Sequence, residues 1–136
     1  MGRSRGGLTT KIHVVVDGLG LPLEVRLTEG QTHDITQSDL ALAGEPSEYV
    51  ICDKGYDSEE FRTKIQKLGR KSVIPPRKCR KNQFEYDRHI YKERHLVENF
   101  FCKIKEYRRL ATRYDAANYS FRAFVILASI FIWLRF

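Results

Sequence analysis

Disulfide chemistry is the first thing this sequence is too poor to support. Its three cysteines, Cys52, Cys79 and Cys102, are odd in number and widely spaced, with no C-x-x-C pair. That argues against a disulfide framework and a structural zinc site. Free thiols in a reducing cytoplasm are the remaining reading, with Cys52 on an apolar strand and Cys102 on a helix, both expected to be buried or half-buried. The N-terminus has no apolar stretch and does not read as a signal peptide. The chain also lacks the roughly 20-residue apolar run that a membrane-spanning helix needs. Its longest run, Ala123–Leu134, covers twelve residues broken by Ser129 and bracketed by Arg122 and Arg135. Twelve residues predict a helix buried all round by protein. A membrane-tethered basic protein would rest on that run alone. Internal repeats and low-complexity linkers are absent too.

What is present is charge, unevenly placed. Residues 1–61 hold 5 Lys/Arg against 11 Asp/Glu, and residues 62–113 hold 17 against 5, within a chain of net charge +7. A basic block behind an acidic one suggests a polyanion-binding surface, with nucleic acid the default partner. The densest run, Lys64, Lys67, Arg70, Lys71, Arg77, Lys78, Arg80 and Lys81, reads either as a solvated face or as a phosphate track without sequence preference. At 136 residues with 42% hydrophobic content, the chain is one domain or part of one, with enough apolar material for a core.

The pattern predicts strands at Thr10–Asp17 and Leu21–Thr28, joined by a tight turn at Asp17-Gly18-Leu19-Gly20. Asp17 reads as a turn residue rather than a catalytic one. Helical signals run from His33-Asp34 through Leu40–Leu42, followed by a short strand at Tyr49–Cys52 ending on Asp53. A helix over Ser58–Leu68 stops at Gly69. Lys71–Ile74 forms a strand broken by Pro75-Pro76, and 75–87 is a basic loop. A long helix from about Asp87 to Leu110 buries Ile90, Val97, Phe101 and Ile104, widened by Leu96, Phe100 and Tyr107. The terminal helix starts with Asn118 or Ser120 as cap. This order, β-hairpin, α, β, α, β, α, α, is an α/β fold.

On the long helix, Tyr91, Arg94, Glu98 and Lys105 lie at offsets 0, 3, 7 and 14. At about 100° per residue they fall within a sector of roughly 60°. One face would then carry a phenol, a guanidinium, a carboxylate and an ammonium. Such a mix suits a phosphate backbone with a metal ion beside it; the bland alternative is a solvated face with an Arg94–Glu98 pair. Glu98, between Val97 and Phe101, is expected to be partly buried. Asp53 ends an apolar strand, where α/β sheets place functional groups, and Gly55 admits close backbone approach; capping the next segment is its bland role. The histidines show no metal spacing, and His33 beside Asp34 reads as ordering a turn.

Tyr91-x2-Arg94-x3-Glu98-x6-Lys105 resembles the tyrosine–arginine–glutamate–lysine signature of bacterial insertion-sequence transposases of the DDE class. Gly2-Arg3-Ser4-Arg5-Gly6-Gly7-Leu8-Thr9-Thr10-Lys11-Ile12-His13, Gly30-Gln31-Thr32-His33-Asp34, Asp53-Lys54-Gly55-Tyr56-Asp57, Ile74-Pro75-Pro76-Arg77 and Arg113-Tyr114-Asp115 resemble further blocks of that family. The resemblance implies that residues 1–136 are the C-terminal portion of a catalytic domain with an RNase H-like core. It also implies that the first strand, which carries the first catalytic aspartate, lies upstream of the Gly-rich block. Without that strand the hairpin and the Tyr49–Asp53 strand would lack a shared neighbour.

By the same resemblance Asp53 and Glu98 are catalytic metal ligands for magnesium or manganese, bound weakly without a third carboxylate. Tyr91, Arg94 and Lys105 would contact double-stranded DNA at transposon ends, and Arg77 and Lys78, within the basic run, would bind DNA phosphates beside them. The implied function is DNA transposition through metal-dependent cleavage and strand transfer, in the bacterial cytoplasm at the nucleoid, with no membrane partner. An upstream transposase half and a homo-oligomer are compatible partners. A non-catalytic DNA-binding fragment or remnant of the same family is the alternative, and the chain alone is expected to be inactive.

Overall fold

A computed structural model of the chain describes residues 2–4, 7–43, 46–112 and 118–136. The Arg113-Tyr114-Asp115 block lies outside the described residues. The fold is mixed α/β with two small sheets, and it divides into two compact units, residues 1–32 with 96–136 and residues 33–95.

In the first unit, strands β1 (Gly2–Ser4), β2 (Gly7–Val16) and β3 (Pro22–Glu29) form an antiparallel sheet in the order β1-β2-β3. The turn between β2 and β3 is the one expected at Asp17. Its backbone N–H donates to the Leu21 carbonyl, and its carboxylate accepts from the N–H groups of Leu19 and Leu21. Gly20 takes a φ of 80° there, a conformation that costs glycine little. Asp17 thus serves the turn through its Oδ1, which takes both N–H groups.

Alternation along β2 puts Ile12, Val14 and Val16 on one face, packed against Leu21 and the helical residues Phe100, Ile104, Ala128 and Ile132. Those helical residues come from α3 (His95–Lys105) and α5 (Asn118–Leu134), with α4 (Arg108–Thr112) between them. On the other strand face His13 is buried, its Nε2 2.8 Å from Thr28 Oγ1.

The terminal helix α5 is buried on one side only, which corrects the expectation of burial all round. Phe121, Val125, Ala128, Ser129 and Ile132 are buried, whereas Ile126 and Ile130 are 39% and 48% exposed and Leu127 and Phe131 stand beside them. A helix laid on one sheet can cover only one stripe, and this sequence is apolar beyond that stripe. Ser129, the polar interruption, is satisfied by donating to the Val125 carbonyl at 2.8 Å. Trp133 donates its indole N–H to the Pro22 carbonyl at 2.7 Å, tying the end of α5 to the start of β3.

In the second unit, β4 (Tyr49–Ile51) and β5 (Lys71–Val73) pair in parallel. Helix α1 (Glu59–Lys67) crosses between them. It starts on Ser58, whose side chain accepts from the Phe61 N–H, and stops at Gly69 with φ 72°. Val50, Cys52, Phe61, Ile65 and Ile74 form this unit's core. The helical signals after His33 resolve into two 3-10 turns, Asp34–Gln37 and Leu40–Leu42. The hairpin sheet and the β4–β5 pair share no strand among the described residues.

The expected long helix is broken into α2 (Arg88–Tyr91), a 3-10 turn at Lys92–Arg94, α3 and α4. Two local causes are visible. His95 Nδ1 lies 2.8 Å from the Lys92 carbonyl, a side chain competing for a backbone acceptor. After Lys105 the Glu106 and Tyr107 N–H groups bond three residues back, tightening the turn. Of the predicted buried face, Phe100 and Ile104 are buried, whereas Ile90, Val97 and Phe101 are half-buried. Cys52 is buried as expected, and burial beside Asp53 pushes its thiol up to about 12; Cys102 is exposed instead.

Candidate catalytic and nucleic-acid site

Asp53 follows β4 directly and caps a 3-10 turn, Lys54–Tyr56. Its Oδ1 accepts the Gly55 N–H at 2.7 Å, so one oxygen orders the turn. Among the described residues none donates a hydrogen bond to Oδ2, and the residue is half-buried. Gly55 is required by space: a Cβ there would stand 2.7 Å from Asp34 Oδ2 and 2.8 Å from Asp53 Oδ1. The Asp34 carboxylate thus lies on the same glycine as that of Asp53. Tyr56, at the end of the turn, has its phenol pushed up beyond the ordinary range, by burial first and then by Cys52, Asp34 and Asp53.

Sequence reasoning missed the residue that organises this region. Asp57 is buried, with a side chain of 0% exposure, and its carboxylate receives four donors. Arg62 Nε and Nη2 reach Oδ1 at 3.3 and 3.0 Å. The Arg77 N–H and Arg80 Nε reach Oδ2 at 2.8 and 3.0 Å. Burial alone would raise this carboxyl's pKa. The Arg77 N–H and the Arg62 and Arg80 guanidiniums outweigh it and hold the group below its ordinary value. Arg62 also donates to the Ile74 carbonyl at 2.8 Å, and the Arg62 and Arg80 guanidiniums both lie against the Phe84 ring, 4.5 and 5.1 Å from its centre. The one available signal was an acidic residue five positions before an arginine and ahead of a basic loop.

Arg77, read from the sequence as a DNA contact, also serves this turn: Nε and Nη2 donate to the Lys54 and Gly55 carbonyls at 3.2 and 3.1 Å. Lys78 and Lys81 are exposed on the same loop. Tyr91 meets Tyr86 edge-on at 5.5 Å, and Arg94 is half-buried. All of these belong to the second unit.

Glu98 and Lys105 belong to the first unit, two turns apart on α3 and so on one face of it. Glu98 is exposed, not partly buried as its apolar neighbours implied, because Phe100 and Ile104 take the inward positions. Asp53 and Glu98, as well as the two halves of the Tyr91–Lys105 stripe, therefore lie in different units. Among the described residues, no three His, Cys, Asp or Glu side chains gather as a metal site, and no helix is long and apolar enough to cross a membrane.

A family profile described as a transposase DDE domain matches residues 2–133. A protein of Brucella ovis, named as a transposase for insertion sequence element IS6501, is 40% identical over 130 residues, covering 94% of this chain and all of its own length. A second, from Burkholderia cepacia and named for insertion sequence element IS402, is 31% identical over 125 residues, covering 83% of this chain; the match spans 56% of that relative's length. No solved structure matches. With nearly its whole length covered by the profile, the chain belongs to the DDE transposase family of bacterial insertion sequences.

Proposed function

We propose that this chain is the C-terminal part of a transposase catalytic domain that cleaves DNA at transposon ends and transfers the strand, working in the bacterial cytoplasm at the nucleoid. The observation that carries the reading is Asp53: a half-buried carboxylate at the carboxyl end of a strand, held by one oxygen through Gly55. Its donor chemistry is hard oxygen, which suits magnesium or manganese. Asp53 and Glu98 would hold the divalent metal, which supplies Lewis-acid polarisation of a phosphoryl oxygen.

The chain's remaining residues bind and orient DNA. Lys78 would hold phosphate as a point charge, while Arg94 and the unused N–H groups of Arg77 offer planar donor edges to phosphate oxygens. Tyr91 and Lys105 would fix the position of the DNA end. An RNase H-like core is the fold this reading assigns, its third carboxylate and first strand coming from an upstream half. A homo-oligomer, with each copy holding one DNA end, fits the same reading.

The test is reconstitution. The isolated chain should bind duplex DNA but not cut terminal-repeat DNA with magnesium, and the upstream half supplied by co-expression should restore cutting. In the reconstituted protein Asp53→Asn or Glu98→Gln should abolish cleavage and leave DNA binding nearly intact. Full cleavage by either variant would remove that residue from the metal site.

A further inference from the structure

Three bonded residues make a weak turn. The Lys54–Tyr56 turn closes with the Tyr56 N–H on the Asp53 carbonyl at 3.1 Å and the Asp57 N–H on the Lys54 carbonyl at 3.3 Å. Single 3-10 turns have poorer hydrogen-bond geometry than α-helix, and glycine at the centre adds conformational freedom. Left to itself, such a turn would let the Asp53 carboxylate wander. Arg77 removes that freedom. Its guanidinium spans the Lys54 and Gly55 carbonyls, and its own backbone N–H is fixed on the buried Asp57 carboxylate. Asp57 is held in turn by Arg62 and Arg80.

We propose that Arg77 is a positioning residue for Asp53, a planar clamp that reaches across from the 75–83 loop to hold the Asp53 turn in one conformation. The proposal rests on Asp53 being a metal ligand and adds what keeps that ligand aimed. A guanidinium is needed because two donors in a fixed fork must meet two adjacent carbonyls; an ammonium presents one point charge and cannot span them. A purely electrostatic role toward DNA would accept lysine.

The experiment compares Arg77→Lys, Arg77→Ala, Lys78→Ala and Asp53→Asn in the full chain. Amide hydrogen exchange at Gly55 reads the clamp, and exchange at Ile65 in α1 checks that the unit remains folded. Both Arg77 variants should speed Gly55 exchange by about tenfold or more with Ile65 unchanged, because the opening is local. Lys78→Ala should leave Gly55 as in the wild type. Wild-type exchange in Arg77→Lys would overturn the proposal. So would equal acceleration at Gly55 and Ile65 in both Arg77 variants, which would make Arg77 a general stabiliser.

Paramagnetic broadening of the Gly55 resonance by manganese alone reads the metal ligand separately. Arg77→Lys should move its midpoint to higher manganese concentration, and Asp53→Asn should abolish it. Persistence of the broadening in Asp53→Asn would overturn the metal reading of Asp53, whereas the exchange result would still decide the clamp.

Discussion

The two units are held together by different materials. The first buries hydrocarbon: the alternating side chains of β2 meet the inward stripe of α3 and α5, and Phe100 and Val125 have no exposure at all. The second has a small apolar core beneath α1, and beside it a buried carboxylate with three arginines around it. Apolar packing is non-directional and tolerates apolar swaps that conserve volume. An ion network is directional: it fixes where a loop goes, and it fails when one partner is lost. The basic loop and the candidate catalytic turn both hang from the network, so ions place that loop and turn, whereas hydrocarbon holds α3 with its Glu98 and Lys105.

The sharpest way to break this comparison is Asp57→Ala. It would strand Arg62 and Arg80 without their buried partner, and the expected loss is about 3–5 kcal/mol, read by urea unfolding followed at the Ile65 amide. The same carboxylate has a pH signature. Its folded-state pKa lies below the unfolded value, so its contribution is present above the ordinary value of 3.8 and is lost as pH falls from there through the depressed value. Asp57→Asn should therefore flatten the pH dependence of stability in that acid window, and an unchanged slope would remove Asp57 as its source.

In the first unit Ile104→Ala should cost about 2–5 kcal/mol, since the side chain is almost fully enclosed. Ile130→Ala, on the exposed face of α5, should stay within about 0.5 kcal/mol. Equal losses at the two positions would mean that the exposed face is covered after all. The smallest expected effect tests the loop that the ions support. Neutralising Lys78 and Lys81, which are outside the Asp57 network, should lower the slope of log DNA affinity against log salt by about 2. A constant slope would make them solvated charges.

What was legible in the sequence was local. Asp17-Gly18 announced the hairpin, Ser58 and Gly69 bracketed α1, and the apolar strand ending on Asp53 was placed to within a residue. Each depends on contacts within a few positions. The breaks around Lys92–Arg94 and after Lys105 escaped because apolar periodicity continues through them, whereas hydrogen bonding does not. Glu98 looked half-buried from its neighbours, but only Phe100 and Ile104 turn fully inward. The all-round burial expected for α5 failed because composition states how apolar a helix is and not how many faces its partners can reach. Asp57 escaped for another reason: only Arg62 is near it in sequence, and its other partners Arg77 and Arg80 are 20 and 23 positions away.

One bond gives the molecule a built-in optical label. The only tryptophan, Trp133, is pinned by its indole N–H to the Pro22 carbonyl. Its emission therefore responds to the seating of α5 on the hairpin. The 33–95 unit carries tyrosine and phenylalanine alone. Excitation confined to indole would follow the hydrocarbon-built half, and far-ultraviolet dichroism would follow both. The divergence between the two curves would give the melting of the ion-built half without a probe, a tag or a mutation.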